Sequence, residues 1–308
     1  MAIILISGGT GLIGKAITKH LLFLGHEVRV LSRNPQSSGG VKAFFWNVEK
    51  QEIDEAAFVG VEHIIHLAGS GIADKRWTDE RKNDILNSRV NSINLICSVI
   101  KKNNIKLKSF VGASAVGIYG METSETIYME SQIGKDDFLT TTCIAWEASY
   151  KQIEQFSSKM AIIRVGVVLS KEGGALKKML PIFKLGLGSA IGNGKQYMPW
   201  IHIEDLALVF CEGLFNSKIS GTYNAVTPQH ITNLYFSKQL ALSLNKPFIM
   251  PHVPSFLLKL MYGEMAKVVL QGSRVSDKKL TDSGFVFKFP DLEAALKMVD
   301  IAKSEVNS

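Results

Sequence analysis

Apolar residues run along the chain in two alternating rhythms. Residues Ala2–Ser7 (AIILIS) form an unbroken apolar run, the pattern of a parallel strand covered on both faces. From Leu12 the spacing turns helical and holds to Leu24, with Gly25 placed to end it as a cap. Glu27–Ser32 (EVRVLS) reads as a second strand, and 43–46, 62–66, 107–113 and 160–165 continue the series. Two longer helical patterns lie between the later strands, at 79–103 and 138–157. In the first, Leu86, Val90, Ile93, Cys97 and Ile100 recur at intervals of four and three, an apolar stripe down one side. Thr78, followed by Asp79 and Glu80, supplies its start. Strands alternating with helices predict an α/β fold: a doubly wound parallel sheet of the Rossmann type, with right-handed crossovers and a smaller carboxy-terminal lobe.

Past Leu169 the alternation stops. Residues 170–195 are rich in Gly and Lys and are expected to contribute to a substrate lobe; 196–226 read as a helix and a strand returning to the sheet. Pro228, Pro247, Pro251, Pro254 and Pro290 punctuate the remainder. The expected division is a nucleotide-binding domain at 1–226 and a small domain at 227–308. No apolar run approaches the ~18 residues that span a bilayer. The apolar start reads as a buried strand rather than as a signal peptide, since it lacks a basic leader and is broken by Gly8, Gly9 and Gly11.

The glycines change the picture from fold to function. Gly8-x-x-Gly11-x-x-Gly14 stands where a strand ends and a helix begins. That turn must be tight, its backbone must approach a pyrophosphate, and the helix must pack close to the strand. The helix start then offers unpaired N–H groups and the positive end of its dipole to phosphates. The seat comprises Gly8, Thr10, Gly11, Leu12, Ile13 and Gly14. At the end of the second strand an acidic residue would bind the ribose 2′-OH of NAD. The chain has Leu31-Ser32-Arg33-Asn34 there instead. A guanidinium at Arg33, helped by the Ser32 hydroxyl, suits a 2′-phosphate, so NADP(H) is the expected cofactor.

Composition narrows the class further. The 308 residues are 46% hydrophobic and 20% charged, ordinary for a globular protein. Cys97, Cys143 and Cys211 form no close pair, which argues for a reducing compartment such as the cytoplasm and against disulfides or zinc; no metal and no membrane are expected. The net charge of +7 is spread along the chain rather than clustered with aromatics, so a nucleic-acid partner is disfavoured and an anionic small molecule preferred.

The glycine motif, His66-Leu67-Ala68-Gly69, "GASAVGIYG" at 112–120 and "PWIHIEDLA" at 199–207 resemble the extended short-chain dehydrogenase/reductases, the NAD-dependent epimerase/dehydratase-like proteins, over nearly the whole chain. More narrowly the chain is similar to their "epimerase family" branch with a carboxy-terminal domain of unknown function. That match rests on Arg76-Trp77, Ser88-Arg89-Val90, Trp146-Glu147, 192–207 and 272–296. The resemblance implies that Leu67, Ala68 and Gly69 line the cofactor and that Ser114 faces nicotinamide and substrate. It also implies possible pairing of the two long helices in a homodimer.

Two departures stand against it. A Tyr-x-x-x-Lys pair is expected early in the helix at 138–157, but the matching positions are Cys143 and Glu147. The i, i+4 spacing keeps both on one face, while a carboxylate opposes the ionisation that a neighbouring ammonium favours. Glu147 retains a role as an acceptor for the nicotinamide ribose, with Arg164 assigned to the same cofactor site. In sugar-nucleotide enzymes an Arg precedes the "hHxxD" stretch; here Met198 holds that substrate-side position, and a thioether does not neutralise a diphosphate. Asp205 belongs to the start of the next helix. Tyr119, Glu130, Arg76 and Lys82 are left to supply acid–base or anion-binding groups, and Cys143 and Glu147 remain catalytic candidates beside Ser114. Trp77, Trp146 and Trp200 read as pocket wall or core. Two functional expectations follow: an NADP(H)-dependent oxidoreductase or isomerase for a small substrate that is not a nucleotide sugar, or an NADP(H)-binding sensor, scaffold or RNA-associated protein without turnover.

Overall fold

The apolar run at the start becomes the central strand of the protein. The computed structural model describes the backbone of residues 1–300 and the side chains of residues 1–297; the last part of the expected carboxy-terminal lobe, 301–308, lies outside the described residues. In chain order the elements are β1 (Ile3–Ser7), α1 (Leu12–Phe23), β2 (Glu27–Ser32), β3 (Val41–Asn47), β4 (Glu52–Ile53), β5 (His63–His66), α2 (Asp79–Lys102) and β6 (Ser109–Ala115). There follow β7 (Ile127–Tyr128), α3 (Phe138–Ser149), β8 (Met160–Val165), β9 (Val167–Leu169), α4 (Gly174–Lys184), β10 (Trp200–His202), α5 (Ile203–Phe215) and β11 (Gly221–Ala225). The tail holds α6 (Asn233–Ser243), α7 (Ser255–Tyr262), α8 (Lys267–Leu270), β12 (Arg274–Val275), α9 (Lys278–Asp282) and α10 (Leu292–Asp300).

Eight strands form one sheet in the order β11-β8-β6-β5-β1-β2-β3-β4. Both neighbours of β1 are parallel to it, Ser7 lying beside Leu31 on β2 and beside His66 on β5. Strand order therefore runs outward from β1 in both directions, and the carboxyl edge of β1 is the topological switch point where such sheets bind ligands. The expected α/β Rossmann architecture is what the chain adopts.

Local chemistry explains the boundaries. Thr78 caps α2 by accepting from Arg81 N at 3.1 Å, and Gly25, at φ +79°, ends the turn after α1. The helix expected at 138–157 is helical only to Ser149 and continues as a 3₁₀ turn over Tyr150–Phe156. There Ser149 Oγ donates to Trp146 O at 2.6 Å, competing with the helical ladder, and the buried Tyr150 donates its phenol to Ala113 O at 2.7 Å. The Gly- and Lys-rich stretch 170–195 holds an element for which the sequence pattern gave no expectation. It contains α4, whose Leu176, Leu180 and Phe183 are buried at intervals of four and three despite Pro181. Packing of that apolar face outweighs the weak propensity of the sequence.

The chain divides into two compact units. One comprises 1–115, 141–164 and 206–223; the other comprises 116–140, 165–205 and 224 onward. The second unit thus draws on three stretches, with 170–195 inside one of them and 227 onward inside another. Its core joins Leu169 and Trp200, from the paired strands β9 and β10, to Leu180 and Phe183 of α4, Phe236 and Leu240 of α6, and Leu292 and Leu296 of α10. Asp205, in the first turn of α5, is fully buried and accepts from Lys288 N at 2.8 Å and Phe289 N at 3.0 Å. It fixes backbone, as expected from its position. Cys97, Cys143 and Cys211 are all free and buried. Among the described residues no cluster has the makings of a metal site, and no helix is long and apolar enough to cross a membrane.

Two imidazoles are buried in β5. His66 Nδ1 lies 2.7 Å from Ser7 Oγ and its Nε2 3.2 Å from Ser92 Oγ. Burial, with a small contribution from Arg89, pulls its pKa from 6.5 to about 3; burial brings His63 to about 4. The unfolded chain takes up these protons near the ordinary value and the folded one refuses them. The resulting stabilisation is complete above that value and drains away as pH falls through the acid range. Between about pH 7 and about pH 5 the share carried by His66 is on the order of 2 kcal/mol. Urea unfolding of the wild type and of His66→Gln at both pH values measures it: the stability gap between them narrows by that amount at the lower pH, and an unchanged gap contradicts the assignment.

Candidate functional site

The glycine turn after β1 is built from backbone meeting backbone. Gly8 has φ +73°, and a Cβ there would stand 3.0 Å from the carbonyl carbon of Leu67. A Cβ on Gly14 would stand 2.5 Å from Gly8 O and from the Cα of Gly9, a distance no side chain occupies. Gly11 N donates to Gly8 O at 3.1 Å and closes the turn, and Thr10 and Gly11 are exposed upon it. Gly11 is the N-cap of α1 and brings no side chain to its first turn, which also contains no acid. The amides of Leu12, Ile13 and Gly14 therefore face outward from a dipole's positive end with no side-chain cap.

At the end of β2, Ser32 Oγ donates to Asn34 O at 3.1 Å. Arg33 is exposed and has no ion-pair partner among the described residues. The acid of this strand, Glu27, is at the opposite end, held by Arg29 at 2.8 Å and Lys42 at 3.1 Å. At the end of β5, Leu67 N donates to Ser7 O at 3.0 Å, Ala68 is buried and Gly69 is exposed. The buried Arg89 lies against Gly69, donates to Ser70 O at 3.0 Å and Ile85 O at 2.7 Å, and stacks on Trp146 at 4.8 Å.

Beyond these, β6 and α3 bring together a group that the sequence did not announce. Ser114 Oγ donates to Glu147 Oε1 at 2.6 Å, and Arg164 grips the same carboxylate from Nε at 2.8 Å and from its terminal nitrogen at 2.9 Å. Both charged side chains are largely buried, so the pair is a two-pronged clamp of the kind only a guanidinium makes. Cys143 sits one turn earlier on α3. Burial first, and Glu147 second, push its thiol up to about 12, so it is a protonated, inert side chain at neutral pH. Glu147 and Arg164 each appear as separate cofactor candidates in the sequence, but their pairing with Ser114 does not. The signal was a lone cation in the buried strand MAIIRV, which requires a carboxylate.

The other candidates are scattered. Arg76 is exposed and Lys82 partly buried on the loop and first turn leading into α2, and the buried Trp77 donates to Ile72 O at 2.8 Å. In the second unit, Tyr119 is fully buried, donates its phenol to Asn224 Oδ1 at 2.6 Å and stacks on Tyr128 at 5.1 Å. It is therefore enclosed rather than presented to a ligand. Glu130 accepts from Asn224 N at 2.9 Å. Met198 packs against the core of that unit, with its sulfur accepting from Asn233 Nδ2 at 3.6 Å. Trp200 is fully buried in the same core.

Comparison with known proteins fits this geometry. Residues 4–225 match the model of the NAD dependent epimerase/dehydratase family, and 253–299 match a domain of unknown function, DUF1731. The chain is 33% identical over 299 residues to the epimerase family protein SDR39U1 of Mus musculus, covering 96% of this chain and 99% of that one. It is 35% identical over 298 residues to the epimerase family protein YfhF of Bacillus subtilis, covering 96% and 97%. Among solved structures, human SDR39U1 (isoform 2) with NADPH is similar at a TM-score of 0.86 and 31% identity, over 96% of this chain and 98% of that one. The UDP-glucose 4-epimerase of Thermus thermophilus shares the fold at a TM-score of 0.75 and 21% identity. With its glycine turn, its parallel sheet and a family model spanning most of its length, the chain belongs to the NAD-dependent epimerase/dehydratase family.

Proposed function

We propose that the chain is an NADP(H)-dependent oxidoreductase or isomerase for a small substrate that is not a nucleotide sugar. The observation that carries this reading is the glycine turn, where a Cβ at Gly8 or Gly14 would collide with neighbouring backbone and the start of α1 has no side-chain cap, beside a β2 terminus bearing Arg33 and no acid. These residues fit a dinucleotide: the amides of Leu12, Ile13 and Gly14 hold the pyrophosphate, Arg33 and Ser32 take the 2′-phosphate, and Leu67, Ala68 and Gly69 wall the path between. NADPH in the structure of the human relative supports the choice of cofactor. When bound, the nicotinamide supplies the hydride step.

The protein's own contribution centres on Ser114. Its hydroxyl donates to Glu147, so in the oxidative direction its oxygen is the acceptor for a substrate hydroxyl, and in the reverse direction the same relay returns the proton to a carbonyl oxygen. In the oxidative direction that hydroxyl proton would pass to Ser114 while the Ser114 proton passes to Glu147. Arg164 holds the carboxylate in register for this exchange. Glu147 takes the place that Tyr119, enclosed on Asn224, does not fill. Arg76, exposed on the loop before α2, and Lys82 are the cations proposed to meet an anionic substrate group, and Met198 offers a diphosphate nothing. A second reading, cofactor binding without turnover as a sensor or scaffold, is favoured by the protonated Cys143 and by a carboxylate already committed to Arg164.

Calorimetry tests the cofactor. NADPH binds more tightly than NADH, and Arg33→Ala weakens NADPH by roughly ten- to a hundredfold, the loss of charged hydrogen bonds worth about 1.5–3 kcal/mol, while leaving NADH unchanged. Equal affinities in the wild type would overturn the assignment. Single-turnover oxidation of bound NADPH across a panel of carbonyl metabolites tests the chemistry. A reactive compound is found, and Ser114→Ala slows it by about 10²–10⁴-fold with NADPH affinity retained. An inert complex throughout the panel selects the second reading. Glu147→Gln strands the buried Arg164 and lowers stability by about 3–5 kcal/mol in urea unfolding; a loss under 1 kcal/mol, roughly the worth of an exposed pair, would mean the clamp is not closed in solution.

A further inference from the structure

The second unit bears apolar side chains that its core does not use. Helix α7 buries none of its residues, and Phe256, Leu257, Leu260 and Met261 fall on one side of it at helical spacing. Phe256 is 67% exposed, Leu260 74% and Met261 62%. Ahead of the helix Ile249 is 81% exposed, and at the end of α4 Leu185 is 74% exposed, with Ile182 and Leu187 beside it in sequence and also exposed. The two stretches run together: Val253 N donates to Ala190 O and Gly192 N to Val253 O, each at 2.9 Å, and Gly186 lies against Pro247. Single exposed apolar residues are ordinary, but a contiguous group marks an interaction surface.

Charge says what kind. Between Glu172 and Glu204 the chain has no carboxylate side chain, yet it holds Lys177, Lys178, Lys184 and Lys195. From Asn224 to Gly263 there is again none, with Lys238, Lys246 and Lys259. Lys259 and Lys267 line a shared cavity with Asp136 and Asp137; Asp137 is already taken by the amides of Met121, Leu139 and Thr140. Glu264 is the exposed acid that follows α7. In sequence, Lys184 directly precedes Leu185, Lys246 lies three residues before Ile249 and Lys259 directly precedes Leu260, all three exposed, so each apolar stretch carries its own lysine.

We propose that this face docks on the surface of an anionic lipid bilayer, with Phe256, Leu260, Met261, Ile249 and Leu185 entering the boundary of the acyl region and the lysines meeting the headgroups. Exposed aromatic and aliphatic tips on a short helix, set among lysines, are the attributes of segments that lie in the membrane interface. A second copy of the chain fits worse. A two-fold interface sets each patch against itself, lysine against lysine, and lysine is depleted from protein interfaces. Searching a sequence for spans does not reveal such a surface, because no single run is long enough.

Sedimentation of the full chain with vesicles tests it. Vesicles of equal parts phosphatidylglycerol and phosphatidylcholine retain at least about tenfold more protein than phosphatidylcholine alone, and added salt reverses the difference. Leu260→Glu with Phe256→Ser abolishes retention while circular dichroism and the thermal midpoint stay as in the wild type. Lys184→Glu with Lys259→Glu, which leaves the apolar group intact, does the same. Retention that is absent, indifferent to lipid charge or unchanged in both variants overturns the proposal. So does a dimer, seen by light scattering, that Leu260→Glu disperses in a protein that ignores vesicles.

Discussion

A backbone carbonyl at Gly8, a peptide at Gly9 and the first turn of α1 must occupy nearly the same space. A Cβ at Gly14 would meet them at 2.5 Å, so the helix packs down on the strand only because nothing projects from that point. This contact sets the height of α1 on the sheet, and through it the position of every uncapped amide at its start. The ends of β2 and β5 are in turn held at the same edge by their pairing with β1. The site is a consequence of sheet register, and its side chains are fitted to a frame that the backbone has already fixed.

The interior of the site departs from what its frame leads one to expect. A phenol and an ammonium are replaced by a thiol and a carboxylate, and the carboxylate is answered by a guanidinium from the neighbouring strand rather than from its own helix. Arg164 balances the charge of that carboxylate. Burial makes the exchange consequential: the Cys143 thiol is held protonated at about 12, while Ser114 is bound to the one carboxylate of the cluster. Ion pair and hydroxyl form a unit, and altering one member alters what the others can do.

The fold was legible because its signals are local and repeated. The strand EVRVLS and the strand MAIIRV match their observed limits, and the capped helix beginning after Thr78 ends one residue short of its expected limit. Helix α4 was not legible, since it contains Pro181 and the packing that favours it joins Leu169 and Trp200 nearby to Phe236 and Leu240 more than fifty positions on. The tight turn between β1 and α1 was legible because its glycines have a spacing with a mechanism. The Ser114–Glu147–Arg164 cluster was not, because its members come from β6, α3 and β8, and nothing in one-dimensional spacing says which buried cation meets which acid. Tyr119 was misjudged for the same reason: proximity to Ser114 in sequence does not reveal that Asn224, over a hundred positions later, encloses its hydroxyl.

The interleaving of the two units has a consequence for synthesis. The chain leaves the first unit and re-enters it twice before residue 224, so neither unit exists as a contiguous stretch that a ribosome could deliver finished. When α4 and Trp200 emerge, the helices that will cover them, α6 and α10, have yet to be made. A nascent chain halted near the end of β11 would display Leu180, Phe183 and Trp200 uncovered, the kind of surface that chaperones bind. Cutting this protein into separately expressed halves at any single peptide bond would leave each half with part of a core and no partner for it.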